Sequence, residues 1–178
     1  MSRLRDISDE WLQKPGREER RFLLGYHDDA YLQAGPLAVV RDEMQQIQGF
    51  MNILPSLKPA TVNYDLLRCA ADAPGNCNDF LLIGVLDHYA QAGYGFFNLG
   101  LAPLAGLTDK PASKDDTIVD SALRFVYSNG DRFYSFRGLH KFKDKYKPAW
   151  EPRYIAYPGG IRNFTRIVAA LNKTMKVK

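Results

Sequence analysis

The sequence is poor in the residues that build metal centres and covalent scaffolds. It holds two cysteines, Cys69 and Cys77, and three histidines, His27, His88 and His140. The cysteine spacing fits no zinc signature, two thiols make no disulfide framework, and the scattered histidines form no HExxH motif. No metal site is expected, and a reduced, intracellular setting is. No apolar run reaches the length of a membrane span. The first residues, MSRLRDISDEWLQK, are charged and lack the apolar stretch of a signal peptide. On this reading the chain is soluble by itself, with room for a place beside a membrane or within a larger protein. Internal repeats and low-complexity segments are also missing.

What is there is an ordinary globular composition. Of 178 residues, 46% are hydrophobic and 25% charged, enough for one domain, or one domain with an extra terminal helix. The net charge of +4 is a modest bias towards anionic partners such as nucleic acid, anionic lipid or phosphorylated substrates.

The periodicity predicts a short helix over 7–13, a charged linker over 14–21 and a strand over 21–26, then a turn at His27-Asp28-Asp29. Strands follow at 37–41, 47–54 and 61–68, with short connections that read as an antiparallel meander. Residues 70–78 form a loop. A helix is expected over 79–92, with Asn78 as N-cap and Gly93 as stop, and a short buried strand at 96–99. A second helix is expected at 117–128, where Thr117 and Asp120 have capping-box spacing. Strands at 132–136 and 153–157 and an amphipathic helix at 161–175 complete the chain. The order is α+β with one mixed, mostly antiparallel sheet flanked by helices. It is also the element order of the second half of a GNAT acyltransferase fold.

The densest chemistry lies in GLHKFKDKYKPAWEPRYIAYP (138–158), where Lys141, Lys143, Lys145, Lys147 and Arg153 alternate with rings. Such a surface suits a polyanionic substrate and developing negative charge. Lys141, Trp150 and Arg153 of this run, Arg137 just before it, and Asn98 and Gly100 are the candidate substrate contacts. Lys143 is either a cation fixed among rings for an oxyanion or a solvated lysine. Trp150, Tyr154 and Tyr157 read as core or cleft wall. Asp65 and Arg68 lie at the end of one predicted strand. Their odd separation points them to opposite faces unless a bulge or the following loop brings them together. They are either an ordinary ion pair or a site that holds an amine with the carboxylate and a carbonyl or phosphate with the guanidinium. Asn98, before Gly100, either lines a cleft or satisfies loop backbone. After Arg68 the chain reads CAADAPGN, without the glycine-rich turn that would hold the pyrophosphate of coenzyme A at a helix N-terminus. Arg162, Arg166, Lys173, Lys176 and Lys178 follow the polar side and end of the last helix, a solvated face or a contact for RNA or an anionic bilayer.

Taken together, FLLGYHDDAYL (22–32), LAVVRDE (37–43), GFMNILP (49–55), YDLLR (64–68), FFNLGLAPL (96–104), FYSFRGLHKFKDKY (133–146) and WEPRYIAYP (150–158) closely resemble the phosphatidylglycerol lysyltransferases. These are also called lysylphosphatidylglycerol synthases or multiple peptide resistance factors. The chain is similar to the second of two tandem GNAT-like domains, with 1–21 as N-terminal helix and linker and 22–178 as the aminoacyltransferase domain. The resemblance implies aminoacyl transfer from a charged tRNA, typically Lys-tRNA, to the glycerol hydroxyl of phosphatidylglycerol. The added positive charge would repel cationic antimicrobial peptides. It further implies that Asp65 and Arg68 match a D-x-x-R pair needed for activity. In the related peptidoglycan-bridge aminoacyltransferases, Lys143 matches the lysine of an F-K element near the reacting carbonyl.

An activated ester needs no metal or redox cofactor. The resemblance also implies a place on the cytoplasmic side of an anionic membrane and an upstream GNAT-like domain that is missing from this chain. Apolar residues that would face that domain would then be exposed and favour self-association. A rival reading is a non-catalytic module that docks RNA or an anionic membrane beside another domain.

Overall fold

The spacing of the first twelve residues decides where the N-terminus goes. Leu4, Ile7 and Ser8 fall on one stripe of a helix and are buried together. In the computed structural model this helix, α1, runs Ser2–Leu12. It starts earlier than the expected 7–13 because no side chain caps it, so the sequence carries no start signal there. The structure describes residues 1–14, 17, 19, 25–103, 105, 136–154, 156, 158, 159, 163, 166, 167, 169, 170, 173 and 174. The chain divides into two compact units, Met1–Gly100 and Leu101–Lys178.

In the first unit a short helix α2, Asp29–Gln33, follows α1. Asp28 caps it by accepting a hydrogen bond from the Tyr31 amide at 2.8 Å. The sequence reading placed a turn at His27-Asp28-Asp29 and assigned no element to 30–36. Strands β1 (Leu37–Arg41), β2 (Ile47–Leu54) and β3 (Thr61–Cys69) then form the antiparallel meander, as expected. Helix α3, Cys77–Gln91, returns the chain to β4, Phe96–Asn98, which pairs parallel to β3. The sheet order is β1-β2-β3-β4. The expected mixed, mostly antiparallel α+β sheet with flanking helices is present.

Helices cover both faces of that sheet. Phe50 and Leu66 pack with Leu4 and Ile7 of α1 and with Leu32 of α2. The neighbouring residue of β2, Gly49, faces the other way. A side chain there would meet the sulfurs of Cys69 and Cys77, the latter at the start of α3. Asn76, not Asn78, stands at the α3 N-cap position, and Asn78 instead accepts a hydrogen bond from the Cys69 thiol at 3.1 Å. Gly93, with φ of 85°, ends α3 as expected. Strand β4 is shorter than expected and not buried, for Phe96 is 63% exposed.

In the second unit, α4 spans Phe136–Asp144. The sequence reading saw a run of rings and cations here and a strand reaching residue 136. The helical period is carried by Leu139, Lys143 and Tyr146, and the lysine in the middle hid it. Trp150 folds back on this helix, its ring edge-on to His140 and its Nε1 donating to Asp144 at 3.2 Å. Arg153, Tyr154 and Ala156 are not in a strand, and Tyr154 is 88% exposed, so it is neither core nor wall. The described residues of the last segment, among them Asn163, Arg166 and Lys173, are helical as expected. Residues 21–24, 117–128, 132–135 and Tyr157 lie outside the described residues. Gly25 and Tyr26 are not in a strand.

Candidate functional site

Strand β3 carries the site, and one irregularity shapes it. Met51 of β2 pairs with Leu67, but Ile53, two residues on, pairs with Tyr64. Three steps on β3 therefore answer two on β2, which is a β-bulge. Tyr64 and Leu67 face as Ile53 and Met51 do, so Asp65 and Leu66 both turn to the opposite side. Arg68, paired with Phe50, is on that side too. The bulge puts Asp65 and Arg68 on one face, the face covered by α1 and α2. Buried Asn52 holds it in place, its Oδ1 accepting the Leu66 amide at 2.7 Å.

The two side chains share a face without pairing with each other. Tyr31 Oη donates to Asp65 Oδ2 at 2.7 Å. Burial and that hydrogen bond push the Tyr31 phenol up to about 12, so at neutral pH it keeps its proton and donates a hydrogen bond to Asp65. A methyl group at position 25 would overlap the Asp65 carboxylate, so a larger residue there would displace that side chain. Arg68 is 4% exposed. Its Nη2 donates to both oxygens of Glu19, at 3.0 and 3.2 Å. Its guanidinium lies over the Trp11 ring, 4.7 Å from the centroid, and Arg17 lies over the same ring at 4.4 Å. Glu19 in turn accepts the His27 amide at 2.7 Å. The His27 ring is held between Ser8 and Asp29.

Beyond the site, β3 and β4 stop pairing. Their register covers only 61–63 against 96–98, so from Leu67 to Cys69 β3 pairs with β2 and not with β4. Asn98 is exposed, donates to Asn63 at 3.0 Å and accepts the Gly100 amide at 2.9 Å. Gly100 has a φ of 75°, which favours glycine. Just after β3 the Ala71 amide donates to Glu10 at 2.9 Å. A carboxylate thus takes the first backbone amide donor of the loop that follows Ala70.

In the second unit Lys143 is 4% exposed, and its Nζ donates to the Leu101 carbonyl at 2.7 Å. Burial brings its ammonium down to about 8. The cation over the rings is Lys145, 4.9 Å from the Phe142 centroid. Arg137 and Lys141 are exposed on α4, Trp150 is 45% exposed, and Arg153 is exposed and paired with Glu151 at 2.8 Å. Among the described residues no group of His, Cys, Asp and Glu is placed to hold a metal ion.

The sequence reading missed Trp11, Glu19, Gly25, Tyr31 and Asn52. Tyr31 and Gly25 sat inside a quoted motif, whereas Glu19 sat in the stretch read as a linker.

A family profile described as the C-terminal part of phosphatidylglycerol lysyltransferase matches residues 1–157. The chain belongs to this phosphatidylglycerol lysyltransferase C-terminal family. It is 35% identical over 157 residues to the phosphatidylglycerol lysyltransferase of Bacillus subtilis strain 168, a match that covers 88% of this chain and 18% of that protein. The solved structure of L-PGS from Bacillus licheniformis superposes with a TM-score of 0.78 at 33% identity, over 97% of this chain and 51% of that one. A C-terminal domain ascribed to a lysylphosphatidylglycerol synthetase of Agrobacterium fabrum gives 0.76 at 35% identity, over 99% and 50%. The chain thus spans about a fifth of the curated relative and about half of the two solved lysyltransferase-family chains.

Proposed function

We propose that this chain is the C-terminal half of a catalytic region that moves an aminoacyl group, lysyl, from a charged tRNA to phosphatidylglycerol. The observation that carries the proposal is the bulge in β3, which sets Asp65 and Arg68 on one face in a chain of this family. In the reaction a glycerol hydroxyl of the lipid attacks the ester carbonyl of the donor. The carbon–oxygen bond to the tRNA ribose breaks, and the ribose hydroxyl leaves with a proton. Asp65 takes the attacking hydroxyl's proton, or it holds the donor's α-amine and that amine takes the proton; the proton then passes to the leaving ribose oxygen. Arg68 holds a carbonyl or phosphate oxygen. Lys143 faces the oxyanion of the tetrahedral intermediate. The ester is already activated, so the ribose is an adequate leaving group.

The Glu10 carboxylate on the Ala71 amide supports a donor other than an acyl-coenzyme A. No described helix is long and apolar enough to cross a membrane. The domain works at the inner face of the membrane, where its lipid acceptor lies, and its product makes the surface less attractive to cationic antimicrobial peptides. The preceding GNAT-like half is its partner, and without that half the chain self-associates; helix α1, whose Leu4 and Ile7 share the core with Phe50, is part of the domain itself.

Single-turnover transfer of labelled lysine from Lys-tRNA to phosphatidylglycerol vesicles tests this, with the preceding half of the catalytic region supplied. Labelled lipid is expected. No labelled lipid, or saturable micromolar binding of acetyl-coenzyme A by calorimetry, would overturn it.

A further inference from the structure

Arg68 is held on two sides by residues the proposed chemistry does not use. Glu19 takes Nη2 with both carboxylate oxygens, and the guanidinium carbon lies over the Trp11 ring, 4.7 Å from its centroid. Glu19 is not a loose surface acid. Its side chain is 18% exposed, and Oε1 is fixed a second time by the His27 amide. His27 is fixed through Ser8 of α1 and Asp29 of α2. A chain of contacts thus runs from both helices to one edge of Arg68. The other amino group, Nη1, is buried and has no hydrogen-bond partner among the described residues. A buried donor without a partner is costly, and functional sites are where such groups persist.

We propose that Glu19 and Trp11 are positioning residues for Arg68. They lock the guanidinium in one orientation and reserve Nη1 for an oxygen of the substrate. Neither touches the reacting atoms. Glu19 neutralises part of the buried charge and stops rotation about the Cζ–Nη2 axis. Trp11 stops the plane from tilting. Arg17, stacked on the same ring, braces Trp11 from its own position. An arginine held this way meets its substrate with little reorganisation, and small misplacements at such a group cost large factors in rate. This inference rests on the proposed role of Arg68, so its test has one arm that is independent of transfer.

That arm is guanidinium NMR on this chain, with arginine side chains labelled with nitrogen-15. Wild type is expected to show separate, slowly exchanging Nη protons for Arg68, assigned by their loss in Arg68→Lys. Glu19→Gln should merge them while the backbone amide spectrum stays folded. An unchanged Arg68 signal in Glu19→Gln would overturn the proposal whatever the enzyme assay gives. The second arm is lysyl transfer with the preceding half supplied. Glu19→Gln and Trp11→Leu should each lower kcat about ten- to a hundredfold with KM for Lys-tRNA nearly unchanged. Glu19→Asp should recover part of the rate. A wild-type kcat in Glu19→Gln, or a loss confined to KM, would also overturn it. If wild type transfers nothing, the proposed function fails, and the NMR arm still decides whether Glu19 fixes Arg68.

Discussion

Arg68 and Lys143 are equally buried cations, each 4% exposed, and the protein compensates them in different ways. Arg68 has a carboxylate on one edge and a tryptophan ring on its face. Among the described residues, Lys143 has a backbone carbonyl as its hydrogen-bond partner. A carbonyl dipole offsets part of the lost hydration and supplies no countercharge. Burial therefore brings the Lys143 ammonium down to about 8. The lesson is that depth alone does not define a site of positive charge. A buried ammonium without a countercharge becomes a group that can lose its proton.

The comparison breaks most visibly by deleting Arg68. Arg68→Ala leaves Glu19 without its partner, and removal of one member of a buried pair costs about 3 kcal/mol or more. Urea unfolding should show that loss, and transfer in the complete enzyme should disappear. Asp65→Asn should abolish transfer with little change in the unfolding midpoint.

Lys143 gives the next effect. Lys143→Ala should lower kcat about a hundredfold if the ammonium faces an oxyanion, and a change confined to KM would assign it to substrate binding. Transfer that needs the cation should fall as pH rises through about 8, where the proton leaves. Lys143→Arg should keep its charge and remove that fall. Stability should move the other way. The folded group releases its proton near 8 and the unfolded group near its ordinary 10.5, so between those values the unfolded chain binds more protons. Folding stability from this residue therefore rises with pH across that window. Chemical denaturation at pH 7.5 and 9.5, wild type against Lys143→Met, is a measure of it.

Two smaller substitutions sharpen the contrast on the Arg68 side. Asn52→Ala strands the Leu66 amide at the bulge and should cost about 2 kcal/mol in urea unfolding. Tyr31→Phe removes the donor to Asp65 and should cost about 1 kcal/mol, with transfer slowed less than in Asp65→Asn.

The sheet was plain in the sequence because its strands are written in local pattern. LAVVR and IQGFMNIL have the expected bounds, and β3 differs by one residue. Helix α2 was missed although Asp28 marks its start, since five residues carry little periodicity. Helix α4 was missed because the position that completes its buried stripe is Lys143. The pair at Asp65 and Arg68 could be named, but its shared face depends on Asn52 reaching across from another strand. The link from Glu19 to Arg68 joins residues 49 apart in the chain, and no local pattern announces a contact of that range.

The bulge has a consequence for anyone moving this arrangement to another scaffold. Along a regular strand, residues separated by an even number share a side, and residues separated by an odd number do not. Asp-x-x-Arg is an odd spacing, and here it behaves as an even one because the strand contains one uncounted residue. Copied onto a straight strand, the same four letters would place the carboxylate and the guanidinium on opposite sides of the sheet. A faithful transplant needs the amide of Asn52 on the neighbouring strand, or else a shortened Asp-x-Arg on a strand without the bulge.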